Sequence, residues 1–165
     1  DGAALGTGYA QARSLILQDS PEYLGTLPAD EVAAMDATRA KVGPWYALQR
    51  AAATMLVLAT GIPGGLFDPS FSVGAGLGHV TAPWLAVTGA SIQGIILLWV
   101  AAYFSGVVQS PMTSFIILIE MTGAISFTLP LAAASIVAYE VSRRVCPVAL
   151  YEALAGEFLK SEPDK

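Results

Sequence analysis

From Pro69 to Ile119 the chain contains no Asp, Glu, Lys or Arg, and Ala51 to Phe67 and Met121 to Tyr139 lack them as well. A soluble domain cannot clothe itself without charge; roughly a quarter of its residues are normally charged, against 13% in this chain. A membrane helix needs about 20 mostly apolar residues, so the uncharged middle has room for several. A hydrophobic fraction of 55% and a mean hydropathy of +0.60 agree. The sequence predicts an all-α polytopic membrane protein. Its net charge of −5 comes largely from the two ends and excludes a nucleic-acid partner. Cys146 is the only cysteine, so no disulfide forms within the chain.

Between two of the apolar segments lies Gly61-Ile62-Pro63-Gly64-Gly65-Leu66-Phe67-Asp68-Pro69-Ser70. Three glycines and two prolines cannot continue a helix. Broken backbone at membrane depth is tolerated only where protein or a wet cavity surrounds it. Breaks of this kind in transporters aim half-helix amides at an anionic ligand. The loop at 61–70, with the helix it opens, is therefore expected to hold an anion inside the membrane.

Three regions follow along the chain. Residues 1–43 read as short helices and a polar loop in an interfacial or water-exposed position: a turn at Leu5–Tyr9, a helix over Ala10–Gln18, and a surface helix over Pro28–Ala40. Residues 44–160 form the transmembrane helical region, and 161–165 a polar tail. Within the middle region Pro44 starts a helix through Trp45, Tyr46 and Arg50 to about Thr60. Both aromatics suit the headgroup level, and Arg50 is expected to snorkel or to pair with an acid. A helix from Asp68 to Val80 carries Gly74 and Gly78, a spacing that allows close helix packing. His79, on the same helix, reads as structural, since a metal site needs several ligands. Ala86 to Phe104 is a spanning candidate. Ser110 and Pro111 have the form of an N-cap and a first helical residue, with that helix reaching Met121. Gly123 to Phe127 turns the chain, Thr128 to Val141 is apolar, and Arg143 and Arg144 close the block. Cys146-Pro147 opens a last, amphipathic helix to about Lys160. The opening on Asp1 rather than Met, together with several membrane passes, is expected of a segment of a longer polypeptide.

Gly64-Gly65-Leu66-Phe67-Asp68-Pro69 resembles the G-x-F-x-P signature of the CLC chloride channels and chloride/proton exchangers, and the fuller run from Gly61 through Ala75 is similar to bacterial members. Ser110-Pro111-Met112-Thr113 with Ile119-Glu120-Met121-Thr122 resembles the family's helix leading into E-M-T. Pro147-Val148-Ala149-Leu150-Tyr151 resembles the start of its last membrane helix. The resemblance covers about Pro44 to Lys160 and implies broken and tilted transmembrane helices forming one half, the C-terminal one, of a CLC-type inverted repeat. It implies chloride transport by a channel or a chloride/proton antiporter, with chloride held by backbone amides at Leu66 and Phe67. Gly65 would let the backbone approach, and the Tyr151 hydroxyl would be a further donor. It also implies a homodimer through helices near 111–121 and 128–141, in a bacterial inner (plasma) membrane. The family's serine loop, gating glutamate and proton-relay glutamate have no match in this chain.

Asp68 departs from the small or apolar residue expected of many relatives. A carboxylate in a first helical turn suits its own helix dipole, so it is expected to face away from the ion. Glu120 is expected to be structural rather than a proton carrier. No metal or organic cofactor is implied, only a bound chloride ion. The reading is not an enzyme: Ser105 with His79 lacks a nucleophile-elbow pattern, and no Gly-Lys-Ser/Thr follows the glycine run as a nucleotide loop requires. A transporter for another small anion is the alternative, weakened by the absence of a fixed cation after Arg50 in the apolar middle. A non-transporting membrane scaffold is the remaining one.

Overall fold

The computed structural model describes residues 8–17, 24–60 and 65–161. Among them every regular element is helical: α1 (Tyr9–Ile16), α2 (Ala29–Arg39), α3 (Tyr46–Ala59), α4 (Phe67–Leu85), α5 (Ile92–Val108), α6 (Pro111–Thr122), α7 (Thr128–Val145) and α8 (Leu150–Ser161). Short 3-10 turns at Ala86–Thr88 and Ile125–Phe127 lead out of α4 and into α7. The chain divides into two compact units, Asp1–Val100 and Ala101–Lys165.

In the first unit α4 packs against α1 and α3. Its glycines set how close the neighbours come. A Cβ on Gly74 would lie 2.7 Å from Val100 Cα, and one on Gly78 would lie 2.7 Å from Ile96 Cα. The predicted small-residue face is thus occupied by the backbone of α5. A Cβ on Gly76, on another face, would lie 2.9 Å from the Tyr46 ring and 3.2 Å from Ala47 Cβ on α3. Contact this close gathers dispersion energy that burial from lipid does not otherwise supply.

Several expectations change. α1 is no surface helix: Leu15 is fully buried, with Ala12, Ser14 and Ile16 buried beside it. Only α2 keeps the exposed character expected of this region, with no buried residue. The Arg13–Glu31 ion pair at 3.0 Å joins the two helices; half-exposed, it contributes about 0–1 kcal/mol. Pro44 does not enter α3, which starts at Tyr46 with its N–H on the Gly43 carbonyl at 3.0 Å. Trp45 is 68% exposed, as a headgroup-level ring would be, but Tyr46 is 2% exposed, and its hydroxyl hydrogen-bonds Ser72 on α4. Arg50 does not snorkel, being 4% exposed. Gly8 explains how these groups fit together. It caps α1 at φ 80°, and a Cβ there would stand 2.5 Å from Ser72 Oγ and 3.0 Å from Arg50 Nε. Only glycine satisfies both the backbone angle and the space.

The span expected over Ala86–Phe104 is also displaced. Gly89 at φ 84° ends the 3-10 turn after α4, and α5 begins at Ile92. α4 itself runs past Val80 to Leu85, through Pro83.

In the second unit α6 packs against α7. Pro111 is the first residue of α6 and Ser110 its N-cap, but the Ser110 hydroxyl pairs with Thr113 Oγ1 at 2.8 Å rather than with a backbone amide. Gly123 at φ 66° ends α6. With its 3-10 lead, α7 makes one apolar helix of 21 residues, Ile125–Val145, whose most apolar stretch is only 11% buried. At 1.5 Å per residue it is about 31 Å long, the thickness of a hydrocarbon core. Among the described residues no other helix is both long and apolar enough to cross; α5 and α6 are shorter apolar helices. The final helix begins at Leu150 rather than at Cys146, because Cys146 is extended ahead of Pro147.

Candidate anion-binding site

Gly61–Gly64 lie outside the described residues, so the site is built from Gly65 onward. Leu66 is the N-cap of α4 and Phe67 its first residue. The Leu66 side chain is 4% exposed, and the Phe67 ring stacks on Phe71 at 4.5 Å and 22°. Apolar contacts therefore anchor both residues whose backbone is the candidate ligand.

The electrostatics follow from where the first carbonyl points. The Leu66 carbonyl accepts the Ser70 N–H at 3.1 Å and the Ser70 hydroxyl at 2.6 Å. It is turned into the helix and carries two donors, so its negative end faces away from the helix mouth. The amides of Leu66, Phe67 and Asp68 precede this first ladder bond, and Pro69 has no N–H to add. A helix start of this kind carries about half a positive charge and is a ready anion site. Ser70, 4% exposed, is a residue the sequence reading did not single out. Its signal was available: a serine four residues after the cap is placed to bond back to the cap carbonyl.

Gly65 is exposed, and a Cβ on it would meet no described atom within 4 Å. Neither crowding from the described residues nor a left-handed φ requires glycine there. Asp68 stands in the first turn of α4, half-buried. Tyr151 is the second residue of α8, in the second unit, and is 48% exposed. Gly65, Leu66 and Phe67 are thus brought together on one helix start, while Tyr151 belongs to a separate unit. Glu120 is exposed on α6, and His79 is half-buried on α4. Among the described residues no group of three His, Cys, Asp or Glu side chains is placed to hold a metal.

The profile described as Voltage gated chloride channel matches residues 2–143, which takes in α1 through most of α7. The chain belongs to the voltage-gated chloride channel family. Membership makes it an integral membrane protein, in keeping with the uncharged middle and the exposed α7. Tyr151 lies beyond the matched residues. Among curated proteins, the chain is 34% identical over 102 residues to the chloride/fluoride channel protein of Pseudomonas syringae pv. tomato, covering 61% of this chain and 22% of the relative. It is 30% identical over 105 residues to a chloride channel protein of Schizosaccharomyces pombe, covering 61% and 15%. It is 28% identical over 117 residues to the H(+)/Cl(-) exchange transporter ClcA of Vibrio campbellii, covering 68% and 25%. The chain thus spans a quarter or less of the length of these relatives of the voltage-gated chloride channel family. No solved structure matches it.

Proposed function

We propose that this chain is the C-terminal half of a chloride transport protein and that its α4 N-terminus is a chloride site on the transport path. The observation that carries this is the Leu66 carbonyl, held inward by both donors of Ser70, which leaves amides as the groups at the mouth of α4. Backbone dipoles are weaker than an ammonium, which suits an ion that must also leave. Gly65 gives the ion close access to the backbone, and the Tyr151 hydroxyl is a further donor. Family membership supports chloride as the anion, and relatives named as channels and as exchangers leave both transport modes in play.

The protein works as a homodimer in a bacterial plasma membrane. Exposed apolar side chains on α6 (Met112, Ile116) and α7 (Leu129, Ile136, Val137) support a covering of lipid or of a second copy. The test uses the complete protein reconstituted in liposomes under a chloride gradient, with chloride efflux and proton uptake recorded together. Chloride movement with stoichiometric proton uptake identifies an exchanger; chloride movement alone identifies a channel. Correctly folded protein that moves no chloride would overturn the proposal.

A further inference from the structure

Gln109 follows α5 directly, and it is the one non-glycine residue with a left-handed backbone among the described residues, at φ 55°. Its N–H closes α5 on the Ser105 carbonyl at 2.8 Å, in the position where glycine usually ends a helix. A side chain with a Cβ costs free energy in that conformation, so something must hold it there. The Gln109 Nε2 donates to the Cys146 carbonyl at 2.7 Å, with Ser142 Oγ at a longer 3.4 Å. Cys146 is the C-cap of α7, extended at φ −135° and ψ 102°, and its carbonyl no longer belongs to the helix ladder.

This contact ends a polar seam between α5 and α7. Ser105 Oγ donates to the Ser135 carbonyl at 2.7 Å, and Ser142 Oγ donates to the Gly106 carbonyl at 2.6 Å. Ser135 and Ser142 are seven residues apart, so they lie along one face of α7, and Cys146 follows at its C-terminal end. The three pairs advance in the same direction along both helices, and Gln109 is the last. Interhelical bonds of this kind hold helices together where burial from water gives no drive.

Beyond Cys146 the chain has only Pro147, Val148 and Ala149 before α8, and Tyr151 is the second residue of that helix. Proline restricts both its own φ and the residue before it. Little freedom then separates the anchored carbonyl from the tyrosine. We infer that Gln109 is a positioning residue for Tyr151: by pinning the Cys146 carbonyl it fixes where α8 starts and so where the phenol stands. The inference rests on the reading of Tyr151 as a chloride donor. A ligand must be held to within about 0.5 Å to be effective, and one hydrogen bond at the root of a short linker supplies such control.

The test is a double-mutant cycle read by calorimetric titration of chloride into the complete detergent-purified protein. Gln109→Met keeps the length of the side chain and removes the donor. Gln109→Gly removes the donor while relieving the backbone strain, so it folds even where the first variant does not. Each is expected to weaken chloride binding about three- to tenfold in the native background, and to have no further effect in a Tyr151→Phe background. Native affinity in both single variants would overturn the inference. The same loss with and without the Tyr151 hydroxyl would overturn it too, by showing that Gln109 acts independently. Native affinity in Tyr151→Phe alone would overturn instead the tyrosine reading beneath it.

Discussion

Gly65 and Asp68 stand three residues apart beside the same helix start, and their environments ask opposite things of a substitution. Gly65 is exposed with no described atom near an added Cβ, so Gly65→Ala should leave thermal stability within about 0.5 kcal/mol. If an anion approaches that backbone, the methyl group obstructs it, and chloride affinity should fall about tenfold, a change of ~1.4 kcal/mol. Titration calorimetry and a thermal melt on one preparation read both numbers; unchanged affinity would separate Gly65 from the site. Asp68 is half-buried in the first turn, where its charge meets the positive end of α4. Asp68→Ala should cost about 0.3–1 kcal/mol of stability through that lost interaction and leave chloride affinity within about twofold. A large gain in affinity would mean that the carboxylate faces the ion. The glycine run, and the helix start that follows it at Phe67, were legible from residue types alone. Ser70 was overlooked because its role depends on a hydroxyl bonding back one turn, which a list of motif positions does not display. The snorkelling reading of Arg50 and the headgroup placement of Tyr46 failed for a related reason. Both were judged by the chemistry of their own helix, whereas distant glycines shape their surroundings: an added Cβ on Gly76 would strike the Tyr46 ring, and one on Gly8 would strike Arg50.

Helices were readable where breakers mark their ends. Gly123 and Pro111 delimit α6 as the sequence indicates, and Gly74 and Gly78 face a partner backbone as small residues at that spacing should. The partner could not be read from α4 alone, because the residues that fill the groove, Ile96 and Val100, give no sign of which neighbour they meet. Gly76 went unnoticed since it lies outside the four-residue repeat. These contacts differ in consequence. At Gly78 an added methyl would stand 2.7 Å from Ile96 Cα, a backbone atom that yields only if α5 moves. Gly78→Ala should therefore destabilise the protein by about 1–3 kcal/mol. Gly156, in α8 with no described atom near an added Cβ, should gain about 0.5–1 kcal/mol as alanine. Paired thermal melts check the contrast, and equal effects at both sites would contradict the packing of α4 on α5. The start of α5 eluded the sequence because Ala86–Thr88 is apolar enough to pass for a helix, while Gly89 ends that stretch in the left-handed region.

For the whole molecule, the charge-free middle pointed to a membrane and the ordered motifs to a family, and the match over residues 2–143 agrees with both. The number of crossing helices was less legible. Hydropathy promised several, but among the described residues only Ile125–Val145 combines the length and apolar character of a full span. Glycine and proline cut the remaining apolar sequence into shorter helices. One of these cuts opens α4 at Phe67, so a feature that blurs the count of spans also supplies the helix start proposed as the chloride site. The complete protein, crystallised with bromide in place of chloride, gives the direct check by anomalous scattering. A bromide peak within hydrogen-bond distance of the Leu66 or Phe67 amide is the predicted result. Bromide bound only elsewhere in a well-ordered, transport-competent protein would contradict the assignment of α4 as the chloride site.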